Sequence, residues 1–85
     1  MASGELLGKV THYYDKIHVA VIRLDRRLQV GERVHFLGRT TDFEQTVASM
    51  QVEHQAVMEG APSAEVAVKV DEPVRSGDSI YRLDS

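Results

Sequence analysis

A turn that occurs twice is the feature of this sequence that most limits its fold. The stretch LQVGERV at 28–34 returns 46 positions later as VRSGDSI at 74–80. Each copy places an acid directly after a glycine and then resumes with a polar and an apolar residue. Glycine adopts positive φ without steric cost, and an acid beside it can accept a hydrogen bond from a nearby backbone amide. The sequence therefore predicts two similar β-hairpins, each pivoting on this turn.

The similarity of the two copies extends beyond the turns, because residues 19–37 lie over 65–83 without a gap. Three aligned pairs are identical: Asp25 with Asp71, Gly31 with Gly77, and Leu37 with Leu83. Two packed β-units can acquire the same turn by chance, so common descent is not required. Either origin gives the same structural prediction, in which the copies are halves of one all-β shell.

Five stretches are enriched in β-branched and aromatic residues and are predicted as strands. They are 5–14, 17–24, 33–38, 64–70 and 79–83. Alternation with charged residues in 64–70, transferred to 17–24 through the repeat, predicts that six side chains point inward: Ala20, Ile22, Leu24, Val66, Val68 and Val70. Val34 and Phe36 are expected to point inward as well. In the first strand, simple alternation puts Leu6, Gly8, Val10, His12 and Tyr14 on one face.

An aliphatic row is left pointing outward by this assignment. It consists of Ile17, Val19 and Val21. A neighbouring loop could cover the row, or the row could be a patch for contact with a protein partner or a second copy of the chain. The sequence leaves both interpretations open.

The sequence pattern of residues 43–58 does not distinguish a helix from a strand. Apolar residues recur at helical spacing, and TDFE at 41–44 fits a capping box. A strand requires a change of parity, which a bulge near Ala48 and Ser49 would supply. Several β-branched residues lower the helix propensity of the segment. Helix and bent strand therefore remain alternatives from the pattern alone.

Size and composition bound the remaining choices. The 85 residues predict a single domain, 1–85, with its core at about 6–83, and they include no cysteine. No apolar run approaches the roughly 20 residues that span a membrane, and residues 1–5 lack the features of a signal peptide. We therefore expect a soluble cytoplasmic protein with no membrane association. The net charge of −3 gives no general attraction to nucleic acid.

The order of motifs along the chain resembles known families. These motifs are GKVTHYY, VAVIRL followed by LQVGERVHFLG, TTDFEQTVASMQVEH, and EVAVKV followed by VRSGDSIY. They resemble the second-domain β-barrel of translation GTPases such as elongation factor Tu and the gamma subunit of initiation factor two. They are still more similar to small translation elongation factor-like proteins, and also to the C-terminal barrel of collagenase-like peptidases.

This resemblance implies a fold class as well as a structure for the undecided segment. The implied fold is all-β, a small closed or nearly closed antiparallel barrel of about six strands, of the elongation factor Tu domain 2 type. Residues 43–57 would then form one long bent strand. The sequence departs from the family pattern at Gly60 and Ser63, in the loop before 64–70, and at His18, where a glycine is usual.

No enzymatic chemistry emerges from the residues. Gly4 to Val10 only superficially resembles a phosphate loop, with one residue too few between its glycines and no Ser or Thr for magnesium. His12, His18, His35 and His54 lack the spacing of metal ligands. No serine lies in a recognisable nucleophile setting. We therefore expect a non-enzyme with no catalytic residues, no metal, no cofactor and no nucleotide.

Arginines supply the one concentration of basic residues. The predicted RNA-contact patch comprises Arg23, Arg26, Arg27, Arg33, Lys69 and Arg75, with Arg39 nearby in sequence and His35 and Tyr81 available for stacking on bases. The alternative is a solvated surface on which Asp25, Glu32 and Asp71 balance the positive charge.

Two functions from different classes are compatible with these features. In the first, the chain is a non-catalytic module that binds RNA, tRNA or a ribosome-associated protein, as its resemblance to translation factors implies. In the second, it is a protein-interaction or assembly module that accompanies a separately encoded enzyme and binds no nucleic acid. The first depends on the arginines, and the second depends on the outward row of Ile17, Val19 and Val21.

Overall fold

Antiparallel strands joined by turns and loops form the part of the protein that the computed structural model describes, residues 4–83. In chain order the strands are β1 (Leu6–Tyr14), β2 (Val19–Leu24), β3 (Leu28–Gln29), β4 (Arg33–Leu37), β5 (Asp42–Thr46), β6 (Met50–Val52), β7 (Gln55–Ala56), β8 (Glu59–Gly60), β9 (Glu65–Lys69) and β10 (Ser79–Arg82). Eight of them form one sheet in the order β5-β4-β10-β1-β2-β9-β6-β7, and β3 pairs with β8. The all-β prediction is confirmed.

The predicted barrel is not closed. Within residues 4–83 the large sheet ends at β5 on one side and at β7 on the other, and no ladder joins these two edges. The number of strands also exceeds the predicted six or so. The two-residue strands β3 and β8 were not predicted, and the strand predicted over 43–57 is divided into β5, β6 and β7. The fold is therefore a small antiparallel β domain with an open sheet order, and the elongation factor Tu type stays a prediction.

One buried side chain connects the edge strand β5 to the chain that leaves β9. Gln45, on the edge strand β5, is only 3% exposed. Its Nε2 donates to the Lys69 carbonyl at 2.9 Å, and its Oε1 accepts from the Asp71 amide at 2.7 Å. A side-chain amide carries the same donor and acceptor as a peptide group. Gln45 thus replaces one step of a ladder between β5 and the chain that leaves β9.

Both copies of the repeated turn have the conformation that their sequence predicts. Gly31 and Gly77 have φ of 98° and 97°. The carboxylate after each glycine accepts a backbone hydrogen bond at 2.8 Å, Glu32 from the Gln29 amide and Asp78 from the Arg75 amide. The glycine turns are therefore confirmed, along with the role of the acid beside each glycine.

The strands on either side of each turn do not pair with each other, so the prediction of two hairpins is wrong. Instead β2 pairs with β9 and β4 pairs with β10, which places the two copies side by side. Val21 lies opposite Ala67 and His35 lies opposite Tyr81, and each of these partners is the equivalent residue of the other copy, 46 positions on. Each ladder is thus centred on a pair of equivalent residues from the two copies.

The core is built by the side chains that the repeat predicts to point inward. Ala20, Ile22, Leu24, Val66, Val68 and Val70 are all buried, as are Val34 and Phe36. The rings of Phe36 and Phe43 stack with their centroids 5.1 Å apart. Each large apolar side chain buried in this way contributes roughly 1.5–3 kcal/mol, which chain entropy largely offsets. The inward assignment is confirmed.

The first strand departs from simple alternation because its register shifts twice, between Leu6 and Gly8 and between Val10 and His12. A bulge adds a residue to one strand and thereby exchanges the faces of the residues that follow. Val10 is buried in the core. His12 and Tyr14 lie opposite Val21 and Val19, which belong to the outward row. The prediction that Val10, His12 and Tyr14 share a face is therefore wrong.

Residues 43–58 form neither a helix nor one bent strand. The segment contains the end of β5, then β6 and β7, with a break at 47–49 and a tight turn at Glu53 and His54. Val47 is held beside the first glycine turn, since its amide donates to the Glu32 carbonyl and its carbonyl accepts from the Gly31 amide. This contact redirects the chain from one end of the sheet to the other.

The predicted domain limits include residues that lie outside the described range. Residues 1–3 and 84–85 belong to the predicted domain 1–85, and residues 1–3 to the segment expected to lack a signal peptide. Within 4–83, no helix has the length and apolarity needed to cross a membrane.

Candidate functional site

The outward aliphatic row forms the floor of a groove on the outer face of the large sheet. The groove has a volume of about 860 Å³, and its apolar lining includes Tyr14, Ile17, Val19, Val21, Val52 and Ala67. Ile17 is 59% exposed and Tyr14 is 48% exposed, while Val19, Val21 and Ala67 are half-buried. We call this surface the outer groove. A neighbouring loop does not cover it, so the predicted protein-contact row is accessible.

The bulge in β1 extends this apolar surface. Because the bulge exchanges faces, Tyr14 comes to lie beside Val19, and His12 lies beside Val21. The rings of His12 and Tyr14 are in contact, with centroids 4.3 Å apart and a tilt of 51°. Sequence reasoning assigned Val19 and Val21 to the outer face but gave no indication that Tyr14 would join them.

Acidic residues lie at one end of the outer groove. Glu53 and Glu65 line it together with His54, and its lining includes no Lys or Arg. Arg23 lies opposite Glu65 in the β2–β9 ladder. In the part of the chain that the structure describes, neither carboxylate lies within 4 Å of a Lys or Arg nitrogen. The groove therefore combines an apolar floor with two carboxylates that form no ion pair within 4 Å in residues 4–83, with Arg23 as the cross-strand neighbour of Glu65.

Backbone conformations that side chains rarely adopt are concentrated around the same groove. Glu53 and His54, in the β6–β7 turn, have φ of 49° and 66°. His18 at 56° follows the groove residue Ile17, and Ser63 at 74° precedes the groove residue Ala64. Over residues 4–83 these four are the non-glycine residues with positive φ. His18 and Ser63 are also positions at which the sequence departs from the family pattern.

The predicted RNA-contact residues are not brought together as one patch. Arg26 and Arg27 share a cleft of about 430 Å³ on one side of the domain. Lys69 lies beside a separate cavity, and Arg75 lies beside a third, in the second glycine turn. Arg23 lies on the outer face opposite Glu65. This placement leaves the RNA patch a prediction.

Carboxylates neutralise several of these arginines. Arg26 lies 3.3 Å from Glu5, Arg27 lies 3.8 Å from Glu59, and Arg33 lies 3.9 Å from Glu44. All three pairs are exposed and contribute little to stability, but each reduces the positive charge offered to a phosphate.

Arg82 is the central residue of the Arg26–Arg27 cleft, and sequence reasoning missed it. Its Nη1 donates to Glu5 at 2.5 Å, its Nη2 donates to the Arg27 carbonyl, and its Nε lies 3.0 Å from a Glu32 oxygen. Glu5 and Arg82 are 77 positions apart in sequence. No local pattern connects two residues at that separation, so only the sheet order could have revealed the pair.

The residues predicted to stack on bases are also engaged differently. His35 is 6% exposed, and its Nε2 lies 2.6 Å from Asp42 Oδ1. Tyr81 lies directly opposite it in the β4–β10 ladder. A buried imidazole bonded to a carboxylate does not offer a face to a base, so His35 is placed as a structural residue.

No metal centre is formed by the described residues, since no three of their His, Asp and Glu side chains are grouped to hold an ion. The four histidines are on different parts of the fold. His12 is in β1, His18 in the turn before β2, His35 in β4 and His54 in the turn between β6 and β7.

Comparison with known families and proteins gives consistent matches. The model of the peptidase family U32 C-terminal domain matches residues 3–80. An uncharacterized protease of Methanocaldococcus jannaschii is 37% identical over 78 residues, which are 91% of this chain and 19% of that protein. A Porphyromonas gingivalis collagenase is 29% identical over 80 residues, which are 92% of this chain and 22% of that protein. The chain thus spans about a fifth of the length of these curated relatives.

Solved structures show the same fold. The C-terminal domain of a Geobacillus thermoleovorans protein assigned to the U32 peptidases superposes with a TM-score of 0.88 at 20% identity, covering 94% of this chain and 93% of that one. Its selenomethionine variant gives a TM-score of 0.87 at 21% identity, covering 92% and 99%. These matches support the expected resemblance to peptidase C-terminal domains. They give no support to the resemblance to translation factors.

Proposed function

The chain belongs to the peptidase family U32 C-terminal domain family, and from this membership we propose that it is a non-catalytic binding module that accompanies a U32 peptidase. The rest of such a peptidase, the part that this chain does not match, is called the peptidase body below. The proposal is the same whether the body lies in the same polypeptide or in another.

The extent of the sequence match is the observation that carries this proposal. Residues 3–80 of this chain match a family that is defined as a C-terminal domain. About four fifths of the length of each of the two relatives lies outside the match. That remainder has room for a complete catalytic domain of ordinary size. A small domain attached to an enzyme in this way contributes a surface, and the outer groove is the apolar surface that this domain offers.

The arginines argue against the RNA-binding alternative. Binding to phosphates depends on cations that are free to neutralise them. Three of the predicted contacts, Arg26, Arg27 and Arg33, already face carboxylates. The protein-interaction hypothesis therefore fits this domain better.

A reconstituted complex tests the proposal. The Methanocaldococcus jannaschii protease would be shortened by the part that this chain matches, and a U32 peptidase body from the chain's own source would be prepared alongside it. Sedimentation velocity of this chain with each body should show a complex, with the own-source body binding more tightly. The complex should withstand added salt far better than a phosphate contact would.

Two results would contradict the proposal. One is sedimentation of the chain as a free species beside both bodies. The other is salt-sensitive binding to RNA that is lost in the Arg26→Glu, Arg27→Glu double variant, because this would restore the nucleic-acid hypothesis.

A further inference from the structure

We propose that the outer groove binds a segment of the peptidase body in which two or more aliphatic or aromatic side chains adjoin a Lys or Arg. This inference rests on the proposed function for the source of the segment. The chemistry of the segment is inferred from the groove alone.

The floor of the groove fits the apolar part of the segment. Val19 and Val21 in β2 and Ala67 in β9 form a shallow surface, flanked by Tyr14 and Ile17. Ile17 is 59% exposed, an unusual fraction for an aliphatic side chain that adjoins other apolar residues. Contiguous exposed apolar surface with a polar rim is typical of a contact site for protein.

The acidic end of the groove fits the basic residue. Of the other glutamates in residues 4–83, four lie within 4 Å of an arginine nitrogen and Glu72 does not; the four are Glu5, Glu32, Glu44 and Glu59. Glu53 and Glu65 line the groove, and no Lys or Arg nitrogen in residues 4–83 lies within 4 Å of either. A cation placed between them would gain two partners beside an apolar surface, where water screens the interaction less than in the open.

The turns that flank the groove hold its shape in advance of binding. Glu53 and His54 are both left-handed, a combination that matches the twist of a two-residue hairpin turn but disfavours side chains other than Gly, Asn or Asp. Strained backbone of this kind is concentrated at binding sites, where the surrounding structure maintains it. The position of Glu53 at the acidic end is therefore fixed by the fold.

A second copy of this chain fits the groove less well than the body does. A symmetric dimer would bring the same surface from both subunits together. Each copy would contribute Glu53 and Glu65 and no Lys or Arg from its groove lining, so neither lining would supply a cation for the other copy's carboxylates. Charge complementarity favours a partner that differs from this chain.

A peptide library tests the chemistry of the groove directly. Random short peptides displayed on phage would be panned on immobilised wild-type chain and on Val21→Asp. Met58→Asp is the matched control, because Met58 is 72% exposed and does not line the groove. Peptides from the wild type and from Met58→Asp should share apolar residues that adjoin a Lys or Arg on either side. Their binding should fall roughly tenfold or more on Val21→Asp.

Charge reversal provides the second arm. The Glu53→Lys, Glu65→Lys double variant should select peptides in which an acid replaces the base, while Glu72→Lys, at an exposed position outside the groove, should select the original pattern. Far-ultraviolet circular dichroism would verify that each variant folds. Ile17→Asp, in the turn before β2, replaces Val21→Asp if that variant does not fold.

Competition with the peptidase body completes the test. A selected peptide should displace the body from the wild-type chain. Equal peptide recovery on Val21→Asp, a consensus without a basic residue, or failure of the peptide to displace a bound body would each overturn the inference. If peptides of the expected pattern bind but no body forms a complex, the proposed function is rejected and the inferred groove chemistry is supported.

Discussion

Glu32 and Asp78 occupy equivalent positions after the two turn glycines, yet their surroundings differ. Asp78 is 6% exposed, and besides the Arg75 amide it accepts from the hydroxyl of the buried Thr41 at 2.5 Å. Glu32 is partly exposed and faces Arg82. A buried donor that loses its only side-chain acceptor is costly, as Thr41 would be without Asp78. Arg82, whose Nε is buried beside Glu32, keeps its contact with Glu5 when Glu32 is removed.

We predict that Asp78→Ala lowers the free energy of unfolding by about 2–3 kcal/mol, and Glu32→Ala by about 1 kcal/mol or less. Urea denaturation of the two variants measures the difference. Each variant is the control for the other, because both remove the acid of a glycine turn. Equal losses would show that the Thr41 contact has no energetic importance.

At the scale of single residues, the sequence predicted correctly those positions where one physical property of a residue type determines where it occurs. Gly31 and Gly77 were predicted because their turns require positive φ, which glycine adopts without cost. His54 has positive φ without being a glycine, so no residue type signalled the turn. Arg82 was missed because its partners come from distant parts of the chain.

The strained backbone at His54 predicts a substitution that raises the free energy of unfolding, whereas Asp78→Ala and Glu32→Ala lower it. His54→Gly should raise the free energy of unfolding by about 0.5–1 kcal/mol, since glycine tolerates the left-handed backbone. Thermal denaturation should show a rise of ~2–8 °C. His12→Gly is the matched control, and it should lower the melting temperature because His12 lies in a strand. A fall for His54→Gly similar to that for His12→Gly would contradict the strain.

At the scale of the element, the repeat predicted the central strands well, because the alternation of apolar and charged residues is clear in 64–70 and could be transferred to 17–24. The six inward side chains of β2 and of the stretch containing β9 were assigned in this way. Pairing was not predicted, because a glycine turn is equally compatible with a hairpin and with a connection to another strand. The bulge in β1 was missed because Thr11 and His12 are compatible with either face of a strand, so the change of parity was not visible in the sequence.

Residues 43–58 show how tertiary contacts override local pattern. The helical spacing of apolar residues arises because the chain passes the core three times, at Phe43, Val47 and Met50, all of which are buried. Each approach comes from a different direction, so the spacing does not describe a helix face. Gln45, a polar residue in the middle of this segment, could not be assigned to the interior without knowing that β5 is an edge strand.

Gln45 provides the prediction at this scale. Gln45→Leu keeps the volume but leaves the Lys69 carbonyl and the Asp71 amide without their partner, and should lower the free energy of unfolding by about 2–4 kcal/mol. The exposed Gln55→Leu is the control, with an effect within about 0.5 kcal/mol. Hydrogen exchange at the Asp71 amide should be faster in Gln45→Leu. Unchanged exchange at that amide would mean that the bridge does not hold β5 to the chain that leaves β9.

For the molecule as a whole, the sequence predicted the class of fold and one surface of the site more readily than the function. The aliphatic row of Ile17, Val19 and Val21 was identified because outward aliphatic residues are unusual, and it is the floor of the outer groove. The arginines were interpreted from their number, whereas their effect depends on partners that only the folded chain brings close. The acids of the groove could not be found in advance, because their significance is that they remain unpaired.

The central claim is that this domain binds a peptidase body through the outer groove, and chemical-shift mapping tests it most directly. Isotope-labelled chain would be titrated with the unlabelled own-source peptidase body while the backbone amide signals are followed. The signals that shift or broaden should lie at residues 17–21, 53–54 and 65–67, and those of Arg26, Arg27 and Arg75 should remain unchanged. Changes clustered at these three arginines, or none with the body in excess, would contradict the account.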